Sequence, residues 1–475
     1  MKILALESST TSAKAMVYDT DNGKFHVESV PYILQNENVT MHDAKEVFEQ
    51  TVYLGKKICE GHKIDMVSLS GTWHSLMLCN QDIEPQTPIY LWSYTGAADI
   101  CKELRKDEAY VNRFYQKTGC MVNAIYPVFK IKLLGQLGYD LEKYRFVGQG
   151  TYNTYRLTGE WAVTDSVASG TGLLNIHTKT YDEDILKENG IRLHQLPKII
   201  TYKDVLSLSE EGAALLGLPM GTPVIATNPD GGLNQVGAGA VEKGVMSFSV
   251  GTSGALRLST EAPILPERPS TWCYLSPKSW LSGAATSGCC NCIDWFKEKH
   301  FLESVSYQEM EAGCKNIEDV PVFLPFLFGE RCPGWNDERS GGFYDLKPSH
   351  TVYDSYRAIQ EGILFNLYQC YVELIALNGK PKKVMLSGGI IRSKVWTQMC
   401  ADIFQIEMTI DEVEHSSLIG SVALGMELLG LISDAKDFKS NYSQVITPNP
   451  EKKDFYHEKY QKYLYWYEVT KKQGN

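Results

Sequence analysis

Apolar residues along this chain follow two kinds of spacing, one typical of strands and one typical of helices, and the two kinds alternate. Strand-like runs occur at 2–6, 15–18, 65–70, 223–226, 245–250, 255–258 and 384–386. Helical spacing occurs at 42–60, from 233 to 241 and at 394–404, and the tail at 448–475 has the pattern of a surface helix. Alternation of this kind predicts an α/β architecture.

Two pairs of strands enclose a similar turn, although they lie far apart in the chain. Ser8 to Ser12 forms a hydroxyl-rich turn after the first strand, and Gly251-Thr252-Ser253-Gly254 follows the strand at 245–250. We therefore expect two similar halves that face one central cleft, with one such turn in each half. Lys243-Gly244 lies just before the second unit, so the predicted domains are 1–242 and 243–475.

The composition is that of a folded protein with two cores. Its 475 residues exceed the ~250–300 at which single cores stop growing, and 43% apolar with 22% charged residues is typical of globular chains. The 57 acidic residues outnumber the 46 Lys and Arg residues, which gives a formal charge of −11. An acidic chain repels a phosphate backbone, so we expect no nucleic-acid partner, although a small anion can still bind to backbone dipoles.

The sequence also predicts a cytoplasmic protein without a membrane partner. No apolar run approaches the ~20 residues that cross a bilayer, and Glu7 interrupts the first apolar stretch with no small-residue cleavage site behind it. The 12 cysteines are spread out, as in proteins whose thiols stay reduced. Cys289, Cys290 and Cys292 lack a second pair of metal ligands, so we expect them to be buried packing residues.

Both hydroxyl-rich turns have the composition of a phosphate site. Small residues allow backbone N–H and side-chain O–H donors to converge, and Lys14 adds a charge beside the first turn. Glu7 ends the first strand beside the same turn, where its carboxylate is able to hold Mg²⁺ directly or through water. The alternatives are two ordinary hairpin turns and an acid that faces solvent.

Asp230 is the main candidate for chemistry, because it follows the strand at 223–226 and begins a helix. Ligands of open α/β sheets bind beyond the carboxyl ends of strands, and a helix N-terminus favours an ionised carboxylate. An ionised, positioned Asp accepts the hydroxyl proton when a phosphoryl group moves to an alcohol. The alternative is a simple N-cap, but Gly231 and Gly232 indicate that a ligand approaches the backbone.

A last glycine pair, Gly388-Gly389, ends the strand at 384–386 and precedes a helix. Such a pair allows a flat ring or a ribose to lie against the backbone. An ordinary strand–helix loop is the alternative.

Taken in chain order, the motifs of this sequence resemble those of the FGGY carbohydrate kinases, whose two domains have the actin-like ATPase (ribonuclease H-like) fold. The resemblance covers nearly the whole chain. Its motifs are Ser9-Thr10-Thr11-Ser12-Ala13-Lys14, Leu157-Thr158-Gly159-Glu160 with Thr164-Asp165 and Ala168-Ser169-Gly170, Pro229-Asp230-Gly231-Gly232, Gly237-Ala238-Gly239, Gly251-Thr252-Ser253, Leu324-Pro325-Phe326, Gly329-Glu330-Arg331-Cys332-Pro333-Gly334-Trp335 and Ser387-Gly388-Gly389.

The resemblance implies transfer of the ATP γ-phosphate, with Mg²⁺, to a hydroxyl of a small polyol, sugar or sugar acid. Asp230 matches the catalytic base, and Trp73 and His74 match a segment that contacts substrate hydroxyls. The residues that match the nucleotide sites are Thr10, Thr11, Ser12, Lys14, Gly251, Thr252, Ser253, Gly388, Gly389 and Ser393, with Glu7 at the metal. The expected partners are the small-molecule substrate and, in a homodimer, a second copy of the chain.

Within the family, the segment at 329–335 and the motifs at His74 and Asp230 most resemble the gluconate kinase branch, with xylulose kinase next. Tyr94 and Gly96 stand where the family commonly has Asp and Arg, and the loss of a bidentate Arg argues against a sugar acid. Glu7 and Ser9 also replace the family's usual Asp and Gly. A catalytically weak binding protein with a regulatory role is therefore the alternative from another functional class.

Overall fold

The computed structural model describes residues 1–32, 39–314, 318–410, 415–438 and 444–473, and two large sheets lie within them. The strands of the first sheet are β1 (Lys2–Ser8), β2 (Ser12–Asp19), β3 (Phe25–Pro31), β4 (Met66–Gly71), β5 (Leu206–Ser207) and β6 (Pro223–Pro229). The strands of the second sheet are β7 (Val245–Val250), β8 (Gly254–Thr260), β9 (Trp272–Leu275), β10 (Trp280–Thr286), β11 (Lys383–Ser387), β12 (Met408–Ile410) and β13 (Gln444–Ile446).

The two sheets repeat one pattern. In the first sheet, β1, β2 and β3 form an antiparallel meander, while β1, β4 and β6 run parallel. In the second sheet, β7, β8 and β10 are antiparallel, while β7, β11 and β12 run parallel. Each strand that the sequence predicted belongs to one of these sheets, so the expected α/β architecture with two similar halves is confirmed.

Helices cover the sheets and connect their strands. The α-helices of the described residues are α1 (Ala44–Cys59), α2 (Ala98–Leu104), α3 (Glu108–Thr118), α4 (Pro127–Gln136), α5 (Gln149–Thr158), α6 (Asp165–Ala168), α7 (Glu183–Glu188), α8 (Glu210–Leu216), α9 (Asp230–Gly237), α10 (Cys290–His300), α11 (Tyr307–Gly313), α12 (Val352–Asn378), α13 (Lys394–Phe404), α14 (Ser416–Leu428) and α15 (Lys453–Gln473). Within the described ranges, none of them combines the length and the apolar character that a bilayer span requires.

Small two-stranded sheets complete the structure. They pair Met41–His42 with Ile89–Tyr90, Met77–Cys79 with Arg145–Val147, Ala162–Thr164 with Lys198–Ile200, Leu174–Asn175 with Thr180–Tyr181, and Val322–Leu324 with Gly342–Tyr344.

Local side chains explain where two of the predicted helices begin. Asp43 accepts hydrogen bonds from the backbone N–H groups of Lys45 and Glu46, at 2.8 and 3.2 Å, so α1 begins directly after it. Ser393 caps α13 in the same way, through the N–H of Trp396 at 2.9 Å. The helices predicted at 42–60 and 394–404 are therefore confirmed.

The C-terminal helix α15 is more deeply packed than its polar composition indicates. Tyr463 and Tyr467 are buried, and the Tyr467 hydroxyl donates a 2.6 Å hydrogen bond to Glu330. Arg339 forms an ion pair with the same carboxylate at 2.9 Å. The expectation of a surface helix was wrong on this face, because its tyrosines anchor the segment at 329–335.

Helices α9 and α14 cross at very short range, and this crossing connects the two halves of the chain. A Cβ atom on Gly237 would lie 1.9 Å from the carbonyl oxygen of Ser416, and one on Gly420 would lie 2.0 Å from that of Leu233. Helix α14 also packs its apolar face against β1. The crossing therefore positions α9, which begins at Asp230.

Replacement of Gly420 by Ala should destabilise the protein, because the new methyl group overlaps a backbone carbonyl that has no room to move. We expect a loss of roughly 1–3 kcal/mol or more in the free energy of unfolding. The matched control is Gly342→Ala, where the nearest atom would lie 3.8 Å away. Urea unfolding followed by circular dichroism measures both variants, and equal stability of Gly420→Ala and the parent chain would contradict the close crossing.

Candidate active site

The carboxyl ends of three parallel strands meet at one edge of the first sheet. Ser8 at the end of β1 lies opposite Gly71 at the end of β4, and Gly71 lies opposite Pro229 at the end of β6. The segments that follow these strands are the first hydroxyl-rich turn, the Trp73-His74 pair and Asp230. Strand register thus brings three of the predicted site segments together, where ligands of open α/β sheets bind.

Asp230 is the first residue of α9 and not its cap. Pro229 occupies the N-cap position, and the helix ends at Gly237, within the helical pattern at 233–241. The backbone N–H of Gly231 donates a 2.6 Å hydrogen bond to Asp230 Oδ1. The alternative role as a simple N-cap was therefore wrong, and the second carboxylate oxygen has no such partner among the described residues.

The electrostatic surroundings make Asp230 a stronger base than an ordinary aspartate. Burial, followed by the negative charge of Glu7, raises the pKa of the Asp230 carboxyl to about 6. The positive charges of Arg257 and Lys14 act in the opposite direction. The group is therefore mostly ionised at neutral pH and can still accept a proton readily.

Trp73 and His74 form a buried aromatic wall at the same edge. The Trp73 Nε1–H donates a 2.8 Å hydrogen bond to the carbonyl oxygen of Ser166. His74 has a φ of 67°, and its Nδ1 is bonded to the carbonyl oxygen of Gly170. Because a carbonyl only accepts, Nδ1 carries the proton and Nε2 is an acceptor. Burial is the main reason that the pKa of His74 falls to about 3, so the ring is neutral at physiological pH.

Lys130 of α4 supports this wall, and sequence analysis did not identify it. Its Nζ donates to the backbone carbonyls of His74, Leu91 and Ile125, at 2.8, 2.6 and 2.9 Å. The side chain is buried, and burial holds its pKa well below the ordinary range. A single Lys within the apolar stretch at 128–131 is the signal that could have indicated a buried, partnered cation.

Glu7 is buried at the end of β1, so the alternative of an acid facing solvent was wrong. Its Oε1 accepts a 2.7 Å hydrogen bond from Lys14 Nζ, and its Oε2 accepts one of 3.1 Å from Ser70 Oγ. Ser417 of α14 donates to Oε2 as well. Glu7 therefore links the first turn to a helix from the second half of the chain.

The first turn is a closed hairpin with one exposed hydroxyl. The Ser9 hydroxyl donates a 2.8 Å hydrogen bond to the carbonyl oxygen of Ser12. Thr10 Oγ1 accepts a 3.0 Å hydrogen bond from the indole N–H of Trp92, whereas Thr11 is exposed. The turn therefore has a fixed shape, and the Thr11 hydroxyl remains exposed.

The second turn and the last glycine pair are neighbours in the second sheet. Ser249 of β7 lies opposite Ser387 of β11, so the segments that follow these strands lie side by side. Gly388 has a φ of 91°, and a Cβ atom there would lie 2.5 Å from the carbonyl oxygen of Val250. A glycine is required at 388 by this backbone contact.

A cavity of about 500 Å³ opens between these two segments. Ser393 borders it, but its hydroxyl donates to Glu311 and accepts the N–H of Trp396, so it shapes the wall of the cavity. The other lining residues are Gly251, Thr252, Cys290, Ile293, Asp294, Tyr307, Gln308, Glu311, Tyr356, Gln360, Gly389, Arg392 and Trp396. Sequence analysis missed the polar groups from α11 and α12, because nothing in a local pattern indicates which helix faces meet.

Tyr94 and Gly96, two positions that depart from the family pattern, lie in contact with each other. A Cβ atom on Gly96 would lie 2.4 Å from Tyr94 Oη, so the phenol ring covers the glycine. The Tyr94 ring also packs on Tyr90, with ring centroids 4.7 Å apart. No larger side chain fits at 96 while Tyr94 keeps this position.

Family models match most of this chain. The N-terminal domain of the FGGY family of carbohydrate kinases matches residues 2–237, and the C-terminal domain of the same family matches residues 246–428.

Named relatives have similar lengths and folds. The chain is 27% identical to the gluconokinase of Bacillus subtilis (strain 168) over 452 residues, covering 90% of this chain and 88% of the relative. It is 26% identical to the xylulose kinase of the same bacterium over 445 residues, covering 89% and 87%. The crystal structure of gluconate kinase from Lactobacillus acidophilus superposes with a TM-score of 0.92 at 28% identity, over 98% of both chains. Because both family domains are present in order on this fold, the chain belongs to the FGGY family of carbohydrate kinases and is an ATP-dependent sugar kinase.

Proposed function

We propose that this kinase phosphorylates gluconate and that Asp230 is its general base. The observation that carries the proposal is the location of the Asp230 carboxylate at the meeting point of β1, β4 and β6, beside the Trp73-His74 wall. Its raised pKa suits proton transfer near neutral pH. The similarity to gluconokinases and to a gluconate kinase supports the choice of substrate.

In the proposed reaction, Asp230 accepts the proton of the substrate hydroxyl as that oxygen attacks the γ-phosphorus of ATP. The bond between the γ-phosphorus and the β–γ bridging oxygen breaks, and ADP leaves. Trp73 supplies a flat apolar face for the carbon chain, and His74 Nε2 accepts a hydrogen bond from another hydroxyl. Positioning and charge supply most of the rate enhancement in such transfers, since the protein forms no covalent bond.

The nucleotide is held from both halves of the chain in this proposal, with the boundary between the halves at 242/243. The groups assigned to the phosphates are Thr10, Thr11, Ser12 and Lys14 in the first half and Gly251, Thr252 and Ser253 in the second. Gly388, Gly389 and Ser393 are assigned to the nucleoside. The cavity of about 500 Å³ beside them has a size typical of small-molecule sites.

The surroundings of Glu7 fit a hydrated Mg²⁺ better than a directly bound one. Lys14, Ser70 and Ser417 together take three of the roughly four acceptor positions of this carboxylate. The remaining position can accept a hydrogen bond from a metal-bound water, and Mg²⁺ usually keeps several waters when it binds phosphates. When bound, Mg²⁺ neutralises charge on the β- and γ-phosphates.

Xylulose is the alternative substrate, and the contact between Tyr94 and Gly96 favours it. Residue 96 is a glycine that lies against the phenol of Tyr94, so no cation is present at that position. A neutral ketose needs no such cation. The similarity to the xylulose kinase of Bacillus subtilis supports the same alternative.

Replacement of Asp230 by Asn should lower kcat by roughly 10²- to 10⁴-fold, because the amide does not accept the hydroxyl proton. ATP affinity should change little, since the proposed nucleotide groups lie elsewhere. The matched control is Asp43→Asn at the start of α1, where Asn is an equally good cap and activity should persist. A coupled ADP-release assay with gluconate and xylulose measures both variants; full turnover in Asp230→Asn would remove Asp230 from its assigned role.

The kcat/KM for the sugar should rise with pH through about 6, because only ionised Asp230 accepts a proton. Removal of the neighbouring negative charge in Glu7→Gln should shift this midpoint to lower pH, since that charge helps to raise the pKa of Asp230. Glu7→Asp keeps the charge and serves as the control. A midpoint that stays in place in Glu7→Gln would contradict the electrostatic coupling of the two acids.

A further inference from the structure

Two arginines near the substrate wall form no ion pair with an acid of the described residues. Arg257 lies on β8, and Arg331 lies in the segment at 329–335. The Nε atom of each is buried without a hydrogen-bond partner in the described part of the chain. Arg257 makes one weak contact, a 3.5 Å hydrogen bond from Nη1 to Ser249 Oγ. No carboxylate of the described residues forms an ion pair with either guanidinium.

The acids that lie closest to Arg331 in the sequence have other partners. Glu330 pairs with Arg339 at 2.9 Å and accepts a 2.6 Å hydrogen bond from Tyr467. Asp337 pairs with Arg105 at 3.1 Å. These contacts leave no protein carboxylate on this segment to neutralise Arg331.

Arg257 lies against the substrate wall next to the proposed base. A Cβ atom on Gly231 would lie 2.6 Å from Trp73 Cζ3 and 3.4 Å from Arg257 Nη2, so the indole and the guanidinium both contact this glycine. The glycine after Asp230 therefore gives the space that the two side chains occupy. Burial lowers the pKa of Arg257 to about 10, while the charge of Asp230 opposes this effect.

The charge of Arg331 influences the pKa values of His74 and Arg257. Its positive charge adds to burial in lowering the pKa of His74. It also adds to burial in lowering the pKa of Arg257. The two guanidinium groups are therefore close enough to repel each other when no anion is bound.

A carboxylate is the ligand that these two groups lack. A guanidinium presents its N–H donors in a planar fork that matches the two oxygens of a carboxylate, and a buried charge without a partner is costly. The neutral His74 and the apolar face of Trp73 suit the hydroxyls and carbons of the remaining chain. A polyhydroxy acid has both kinds of group.

We propose that Arg257 and Arg331 together bind the carboxylate of the acceptor, so that this enzyme selects an aldonic acid over a neutral polyol or ketose. This inference rests on the proposed function, because it takes the wall of Trp73 and His74 beside Asp230 as the sugar site. It assigns to these arginines the role that Gly96 cannot fill. Each of them is then a residue that determines specificity.

The test compares D-gluconate with D-glucitol, which has the same six-carbon chain without the carboxylate, and with D-xylulose. We expect the parent enzyme to have its highest kcat/KM with gluconate. Arg257→Gln and Arg331→Gln should each raise KM for gluconate by roughly 10- to 100-fold, the equivalent of one lost charge-assisted contact, with KM for ATP unchanged. Arg331→Lys should show a smaller rise in KM for gluconate than Arg331→Gln, because lysine keeps the positive charge but lacks the planar fork of donors. The control is Arg113→Gln, because Arg113 is exposed and pairs with Glu188 at 2.9 Å, away from the proposed sugar site.

Several results would overturn the carboxylate assignment while the kinase itself stands. They are variants that lose gluconate and glucitol activity by the same factor, and variants that show a rise in KM for ATP alone. Where a variant fails to fold, the parent enzyme still gives a test, because a kcat/KM for glucitol that equals or exceeds that for gluconate would overturn the carboxylate assignment. Absence of gluconate turnover, or a preference for xylulose, would instead overturn the proposed function.

Discussion

The register of three parallel strands is the constraint on which the rest of this structure depends. Ser8, Gly71 and Pro229 lie side by side, and each is followed by a segment that carries one part of the candidate site. A shift of one residue would turn every following side chain to the opposite face of the sheet. The second sheet has the same arrangement, because the turn at 251–254 and the glycine pair at 388–389 also follow paired strand ends.

Charged groups from both halves of the chain interact in this cleft. Burial and Glu7 make Asp230 more basic, whereas Arg257 and Lys14 keep it from becoming a neutral acid. The cations on this side exceed what the local acids neutralise, which suits a cleft that receives anions.

Glycines allow close packing at two places in this structure. The crossing of α9 and α14 brings Gly237 and Gly420 against backbone carbonyls, so the helix that begins at Asp230 is held by a helix from the other half. Tyr94 covers Gly96 in a similar way. In our proposal, Arg257 and Arg331 supply the cations that position 96 lacks.

Local patterns in the sequence determined much of this protein. The seven predicted strands of the two large sheets, the two turns, the helices after Asp43 and Ser393, and Asp230 at a strand end are set by neighbouring residues, so they were predictable. The tertiary structure alone decided that α15 buries its tyrosines, that Lys130 donates to three carbonyls, and that the Nε atoms of Arg257 and Arg331 have no partner among the described residues. The physical reason is that burial and pairing depend on residues far away in the chain, whose approach is decided by sheet register and helix packing.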